Sequence, residues 1–140
     1  MTAKNIPNEG ETLVVSNVPV QFAHVTVGSA TTADVVVGDI ATYTLFNVDE
    51  PIVILNMWTQ IETAFTASVT LDIGDTGSST RYQSDTTIVP GTTGAIFVAA
   101  TGVAVPYLMA TAVDIEIVVG TATVAAGLLN VYLEYALARD

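Results

Sequence analysis

Cysteine, histidine and basic residues are almost missing from this sequence of 140 residues. Because cysteine is absent, the chain has neither a disulfide framework nor a cysteine-based zinc site. His24 is the only histidine, and no GxSxG or comparable context supplies it with a nucleophile and an orienting acid. We therefore predict that His24 is a polar strand position, and that the protein is not an enzyme and uses no cofactor or metal.

Positive charge is also scarce. The basic residues are Lys4, Arg81 and Arg139, against 14 acidic residues, and the net charge is −11. Such a chain repels phosphate, so we expect no direct contact with nucleic acid or with an anionic membrane. Charged residues of both signs make up only 12% of the chain, below the usual level of about 25%. A surface with few charges and many small residues favours contact with other protein, as in an assembly subunit.

Long apolar runs are missing as well. One apolar stretch, residues 118–129, is interrupted by Gly120, Thr121, Thr123 and Gly127, whereas a membrane-spanning helix needs about 20 consecutive apolar residues. The first eleven residues are polar, without the apolar core of a signal peptide. We predict a mobile N-terminal arm at residues 1–11, one domain at residues 12–140, and synthesis in a cytoplasm.

Regular alternation of apolar and polar residues is what the sequence does contain, most clearly from Pro51 to Asp75. The odd positions from Val53 to Ile61 and from Ala67 to Ile73 are mostly apolar, which is typical of strands with one buried face. Residues 63–66 connect the two runs. We predict that the two runs form an antiparallel hairpin with a shared apolar face.

The whole chain is predicted to be all-β. No window has a sustained helical period, β-branched residues dominate, and apolar runs recur at short intervals with turn residues between them. This pattern predicts an antiparallel β-sandwich or jelly roll of about eight strands with almost no helix. The alternation predicts a core formed by Val53, Leu55, Val69, Leu71, Ile73, Ile115, Ile117, Leu129, Val131 and Leu133.

One acidic loop allows two interpretations. The stretch from Asp72 to Gly77, with Asp85 nearby in sequence, contains the hard oxygen ligands that calcium prefers. It lacks EF-hand spacing, however, and Asp and Gly are also the residues that favour a turn after a strand. The favoured interpretation is a turn. Asp114 and Glu116, which share a strand face, are likewise predicted to be solvated rather than a glycosidase pair.

Five residues are candidates for an interface. Trp58, the only tryptophan, lies on the polar side of its strand, where it either anchors a partner or is covered by a loop or a second sheet. Arg81 is predicted to pair with Asp75, with Asp85 or with an acid of another subunit. Tyr82, Phe97 and Arg139 complete the candidate interface. Residues 95–100 are apolar on both strand faces, which indicates cover by a partner.

Two stretches resemble small virion proteins of tailed bacteriophages. The first, Ser68 to Tyr82, reads SVTLDIGDTGSSTRY, and the second runs from a small-residue turn at Ala122 to the alternating strand that ends at Tyr135. The family comprises capsid decoration or cement proteins and head-fibre proteins. The resemblance implies a compact jelly-roll or barrel protein that forms a homotrimer and binds the major capsid protein on the exterior of a virion, after synthesis in the host cytoplasm.

Three functions compete at this point. The favoured one is a decoration protein that stabilises a phage capsid, and the alternative is a receptor- or carbohydrate-binding head of a virion fibre. A β-fold enzyme is the third. A carbohydrate-binding head requires several exposed aromatic side chains, and an enzyme requires His, Cys or converging carboxylates in a cleft. The residues alone support only the statement that the chain does not act as a lone monomer.

Overall fold

Two β-sheets pack face to face in the computed structural model of this protein, which describes residues 19–84, 88, 90–94, 96–98 and 106–138. The described parts contain ten strands and no helix. The strands are β1 (Gln21–Gly28), β2 (Val35–Val36), β3 (Thr42–Phe46), β4 (Ile52–Thr63), β5 (Thr70–Asp75), β6 (Ser78–Gln83), β7 (Ile96–Val98), β8 (Tyr107–Leu108), β9 (Ile115–Gly120) and β10 (Leu128–Leu137). The predicted N-terminal arm lies outside the described residues.

Pairing between strands that are far apart in the sequence defines the topology. The larger sheet is six-stranded in the order β2-β1-β10-β4-β7, with β8 pairing with another part of β4. The smaller sheet is four-stranded in the order β3-β9-β5-β6. All pairs are antiparallel except β1 with β2. The first long strand thus pairs with the last, β3 with β9, β4 with β7 and β8, and β5 with β6.

This nested pairing is that of one long antiparallel hairpin rolled up into two sheets, which is a jelly roll. It confirms the predicted fold class, with two more strands than the eight expected because β2 and β8 are pieces of only two residues. Both sheets contribute their inner faces to one apolar core. Most predicted core residues are buried there, at most 5% exposed: Val69, Leu71, Ile73, Ile115, Ile117, Leu129, Val131 and Leu133.

The predicted hairpin between the two central runs is wrong. β4 lies in the larger sheet and β5 in the smaller one, so the two strands share a core but no ladder. Alternation shows that each strand has an apolar face, but it does not show whether two such faces lie side by side or opposite each other. The connection crosses between the sheets instead. It is held by the Thr66 hydroxyl, which accepts bonds from the backbone N–H groups of Ala125 and Ala126 at 2.8 and 3.0 Å.

Two predicted core residues, Val53 and Leu55, are only half-buried. Ile52 and Ile54 occupy the core there, and Met57 is the next buried residue, so the buried positions change from even to odd. The cause is a β-bulge, because Ile54 faces Tyr135 while Asn56 faces Glu134 and Leu55 is the extra residue. One inserted residue turns every following side chain to the other face of a sheet. The alternation of apolar and polar residues in the sequence does not reveal this change of the buried face.

One polar pair lies inside the core. Thr59 of β4 and Gln83 of β6 are both fully buried. The Thr59 hydroxyl donates to Gln83 Oε1 at 2.8 Å. Because the two strands belong to different sheets, this bond joins the larger sheet to the smaller one. Buried polar groups need such partners, since an unpaired one costs about 1–3 kcal/mol.

Candidate interaction surface

Three aromatic rings stand in a row on the outer side of the larger sheet. His24 of β1 is in register with Tyr132 of β10, and Tyr132 is in register with Trp58 of β4. The His24 and Tyr132 rings stack with centroids 4.5 Å apart and planes 12° from parallel. The Tyr132 and Trp58 rings stack at 5.7 Å and 16°. The row therefore crosses three strands.

The stacking geometry decides which part of each ring a partner can reach. Neighbouring strands are about 4.7–4.9 Å apart, close to the ring separations, so the rings stand upright on the sheet. Tyr132 has His24 on one face and Trp58 on the other. Its faces are covered, and its edge points away from the sheet. The result is an aromatic ridge rather than an open aromatic platform.

A hydrogen-bonded relay supports one end of this ridge. Asn130 donates from Nδ2 to Glu62 Oε2 at 2.9 Å, and its Oδ1 lies 2.9 Å from His24 Nε2. A carboxylate only accepts hydrogen bonds, so Glu62 sets the orientation of the amide and leaves its oxygen for His24. His24 therefore carries its proton on Nε2 and donates it to Asn130. The relay holds the imidazole in the plane that stacks on Tyr132.

Phe22 extends the apolar character of this surface. Its side chain is 70% exposed, the largest exposure among the large hydrophobic side chains of the described residues. Phe22 is in register with Glu134 in the row next to the rings. We define the aromatic face as Phe22, His24, Trp58 and Tyr132. Apolar side chains grouped in this way make the aromatic face a candidate interaction surface.

A second cluster surrounds Asp75 at the end of β5. Its Oδ1 accepts the backbone N–H groups of Gly77 and Ser78 at 2.9 and 3.1 Å. Its Oδ2 accepts Arg81 Nε at 2.8 Å and the Tyr82 hydroxyl at 3.0 Å. The Asp75 side chain is only 3% exposed. Arg81 also lies over the ring of Tyr107, with its guanidinium carbon 5.5 Å from the ring centroid.

The cluster changes the titration of two of its members. The hydrogen bond to Asp75 raises the pKa of Arg81 above its ordinary value. Burial, followed by the nearby Asp75 charge, raises the pKa of Tyr82 well above 10.0. Both oxygens of Asp75 already have donors, so this carboxylate is a structural hub of the turn rather than an open cation ligand. Within the described ranges, no group of three His, Cys, Asp or Glu residues could hold a metal ion; Asp85 lies outside them.

The predicted interface residues fall in different places. Trp58 lies on the aromatic face, and the second sheet packs on the opposite side of β4, so that sheet does not cover it. Arg81 pairs with Asp75, one of its three predicted partners. Tyr82 is fully buried, so it supports Asp75 and offers no surface of its own. Phe97 is described only as a backbone position paired with Thr59, and Arg139 lies outside the described residues.

Asp114 and Glu116, the carboxylates predicted to be solvated, are both half-buried. Asp114 accepts the backbone N–H of Val48 at 2.8 Å, whereas Glu116 is on the outer side of β9 in register with Thr44. A cleft of about 440 Å³ lies elsewhere, between Phe46, Val48, Tyr135 and Leu137, with Asp49 and Glu50 among the residues that line it. We assign no reaction to either place. In the part of the chain that the structure describes, no helix could cross a membrane.

Sequence analysis identified Trp58 but missed the other members of the aromatic face. His24 was assigned to a polar strand position, and Phe22 and Tyr132 received no interface role. The sequence does show that each of these residues lies on the outward-facing side of an alternating strand. It does not show that the three strands are neighbours in register, because β1 and β10 are about a hundred residues apart. His24 and Asn130, for example, are separated by 106 residues.

Comparison with known proteins adds a fold relationship. No protein-family model and no curated protein matches the chain. Among solved structures, the chain is similar to a protein chain of the cyanophage Pam1 capsid asymmetric unit, with a TM-score of 0.63 and 22% sequence identity. The match covers 96% of this chain and 94% of the other. The two proteins share a fold along nearly their whole lengths.

Proposed function

We propose that this chain is a structural virion protein that decorates and stabilises a bacteriophage capsid. The observation that supports this proposal is the fold match, from end to end, to a chain of a cyanophage capsid asymmetric unit. Because the match covers 96% of one chain and 94% of the other, the two proteins are nearly equal in length. A protein of this size and fold is thus found as a separate chain within a capsid.

The proposal includes an oligomer, in the first instance a homotrimer, that binds the major capsid protein on the exterior of the shell. The aromatic face gives it a surface suited to protein contact, and the sparse charge of the whole chain agrees with burial against protein. The net charge of −11 disfavours contact with the packaged genome. Synthesis in the host cytoplasm and assembly into the virion belong to the same proposal.

A carbohydrate-binding fibre head is the second candidate, because the structure gathers more exposed aromatic side chains than the sequence suggested. Sugars bind aromatic residues through the ring faces, however, and the faces of Tyr132 are covered by His24 and Trp58. The ring edges and one face each of His24 and Trp58 remain, and edges pack well into an apolar protein groove. The ridge therefore favours a protein partner over a glycan.

Two measurements test the proposed function. Native mass spectrometry of the full chain gives its oligomeric state, with a trimer expected. Purified protein is then mixed with capsids that lack it, and cryo-electron microscopy shows whether regular density appears on the shell. A monomer that leaves the capsids bare would contradict the decoration role. Binding to a glycan array instead, with a change in Trp58 fluorescence, would favour the fibre head.

A further inference from the structure

We infer that the aromatic face docks into a protein partner whose apolar groove has lysine or arginine side chains on both rims, and that this partner is not a second copy of the chain. The inference deepens the proposed function and rests on it for one point only, the assignment of the partner to the capsid shell. The chemistry of the partner follows from the face itself.

The shape of the face requires a groove. The rings of His24, Tyr132 and Trp58 form a continuous ridge across β1, β10 and β4, and the middle ring is sandwiched between the other two. Among the described residues, the smaller sheet packs on the opposite side of the larger one, against its inner face. A ridge of edges gains the most contact when a partner surrounds it on both sides. A flat partner would touch only the tops of the rings.

The charge beside the ridge defines the rims. Glu134 is two residues from Tyr132 along β10, and Glu62 lies on the other side, bonded to Asn130, which is also two residues from Tyr132. Two residues along a strand span about 6.6–6.8 Å. Carboxylates thus flank the aromatic row on both sides. A partner with basic groups at both rims would complement them, and such complementarity governs specificity and association rate.

The same charges disfavour a second copy. Packing this face against itself would bring Glu62 and Glu134 of two chains together, and each chain carries a net charge of −11. Among the described residues the only arginine or lysine is Arg81, which is bonded to Asp75 on the smaller sheet and does not reach this face. Like charges in a desolvated interface without counter-charges are strongly unfavourable.

The face is also held in its binding shape before any partner arrives. Glu62 orients Asn130, Asn130 accepts from His24 Nε2, and His24 stacks on Tyr132. Side chains that are already ordered lose less conformational entropy when they bind, since ordering a mobile side chain costs about 0.5–1.5 kcal/mol. The relay therefore connects one rim carboxylate to the ridge.

Trp58 provides a direct probe because it is the only tryptophan in the chain. Without any partner, quenching of its fluorescence by caesium and by iodide is measured relative to the quenching of free N-acetyltryptophanamide by the same ion, and this relative quenching should be greater for caesium, since the flanking carboxylates attract the cation. The Glu62→Gln/Glu134→Gln variant should remove this difference, because glutamine keeps the ability to accept from Asn130 and loses the charge. Equal relative quenching by both ions in the unmodified protein would overturn the charge assignment.

Partner binding is tested with capsids that lack the protein. Binding should protect Trp58 from quenching, weaken as salt rises, and fall about tenfold or more in the Glu62→Gln/Glu134→Gln variant. Glu116→Gln, which removes one charge from the outer side of the smaller sheet, is the matched control and should bind like the unmodified chain. Native mass spectrometry of the double variant should give the same oligomer as the unmodified protein.

The outcomes separate the inference from the proposed function. If the unmodified chain leaves capsids bare, the proposed function fails, and the inference is tested with two amphipathic peptides, one of leucine and lysine and one of leucine and glutamate. Protection of Trp58 by the lysine peptide alone supports the inference, and any other result overturns it. If capsids bind but the double variant binds equally well, or if the variant changes the oligomer, the inference is wrong and the proposed function stands.

Discussion

The outer faces of the two sheets differ sharply although the inner faces merge into one core. On the larger sheet, Phe22, His24, Trp58 and Tyr132 face outward. On the smaller sheet the corresponding positions have no aromatic residue and, apart from Val118, are polar or acidic, namely Thr42, Thr44, Thr70, Asp72 and Glu116. Apolar and polar residues alternate in both sheets, and the formation of the core explains why the inner residues of each sheet are apolar. The outward aromatic residues lie outside the core, and under the proposed function this outer face is the one that meets the partner.

The largest effect should come from placing charge on an inner face. Leu71 of β5 is fully buried, whereas Asp72, the next residue, is on the outer side of the smaller sheet. Leu71→Asp should prevent folding, because an unpaired buried carboxylate costs several kcal/mol. Asp72→Ser should change the free energy of unfolding by about 1 kcal/mol or less. Far-UV circular dichroism and thermal denaturation of both variants measure the difference, and a folded Leu71→Asp protein would contradict the assigned face.

Asp75 should be the most sensitive acidic residue of the smaller sheet. Asp75→Ala leaves Arg81, Tyr82 and two backbone N–H groups without their acceptor, and breaking a buried pair of this kind costs about 3–5 kcal/mol. Glu116→Ala on the same sheet is the control and should cost less than about 1 kcal/mol. Urea denaturation gives both values. Equal losses would mean that the Asp75 hub contributes no more than a surface charge.

The dependence of stability on alkaline pH should also depend on the Asp75 cluster. The pKa of Tyr82 is raised above 10.0, first by burial and then by Asp75. For a raised pKa, the stabilisation is complete below the value of the unfolded chain and is lost as the pH rises through 10 toward the folded value. Stability should therefore fall above about pH 10, and Tyr82→Phe should reduce this dependence. A variant with an unchanged alkaline profile would contradict the assignment.

A substitution in the aromatic face should weaken capsid binding while the chain remains folded. Tyr132→Ser removes the central ring and both stacks, each worth about 0.5–1.5 kcal/mol. The chain should remain folded, because the Tyr132 side chain lies outside the core. Capsid binding should fall about tenfold or more. Thr44→Ser, on the outer side of the smaller sheet, is the matched control for binding. If both variants bind equally, the difference between the two faces has no functional meaning.

The smallest effect is expected at the edge of the larger sheet. Asp34 Oδ2 accepts the backbone N–H of Thr26 at 2.9 Å and lies 3.1 Å from its hydroxyl, and these bonds lower the pKa of Asp34 below 3.8. A lowered pKa contributes stability above the unfolded value and loses it as the pH falls through the folded value. Asp34→Asn should therefore slightly flatten the acid side of the stability profile below pH 3.8, as thermal denaturation would show.

Prediction from sequence succeeded where the pattern within a single strand was enough to identify its buried face. β5, β9 and β10 show regular alternation, and every core residue predicted in them is buried, although the buried residues Val119 and Asn130 were not predicted. It failed along β4, where a bulge at Leu55 reverses the phase and brings Ile52 and Ile54 into the core in place of Val53. It also failed for the central hairpin, because nearby strands pair by default in sequence reasoning while this fold sends β4 and β5 to opposite sheets.

The sequence by itself determined the all-β class and which face of β5, β9 and β10 is buried in the core. The physical reason is that successive side chains of a strand point to opposite faces, so the local sequence pattern shows which residues face the core. Only the tertiary structure decided which strands are neighbours, and hence that His24, Tyr132 and Trp58 form one ridge beside Glu62 and Glu134. Register between distant strands depends on the pairing of whole sheets, on bulges and on core packing, none of which is a property of a local stretch.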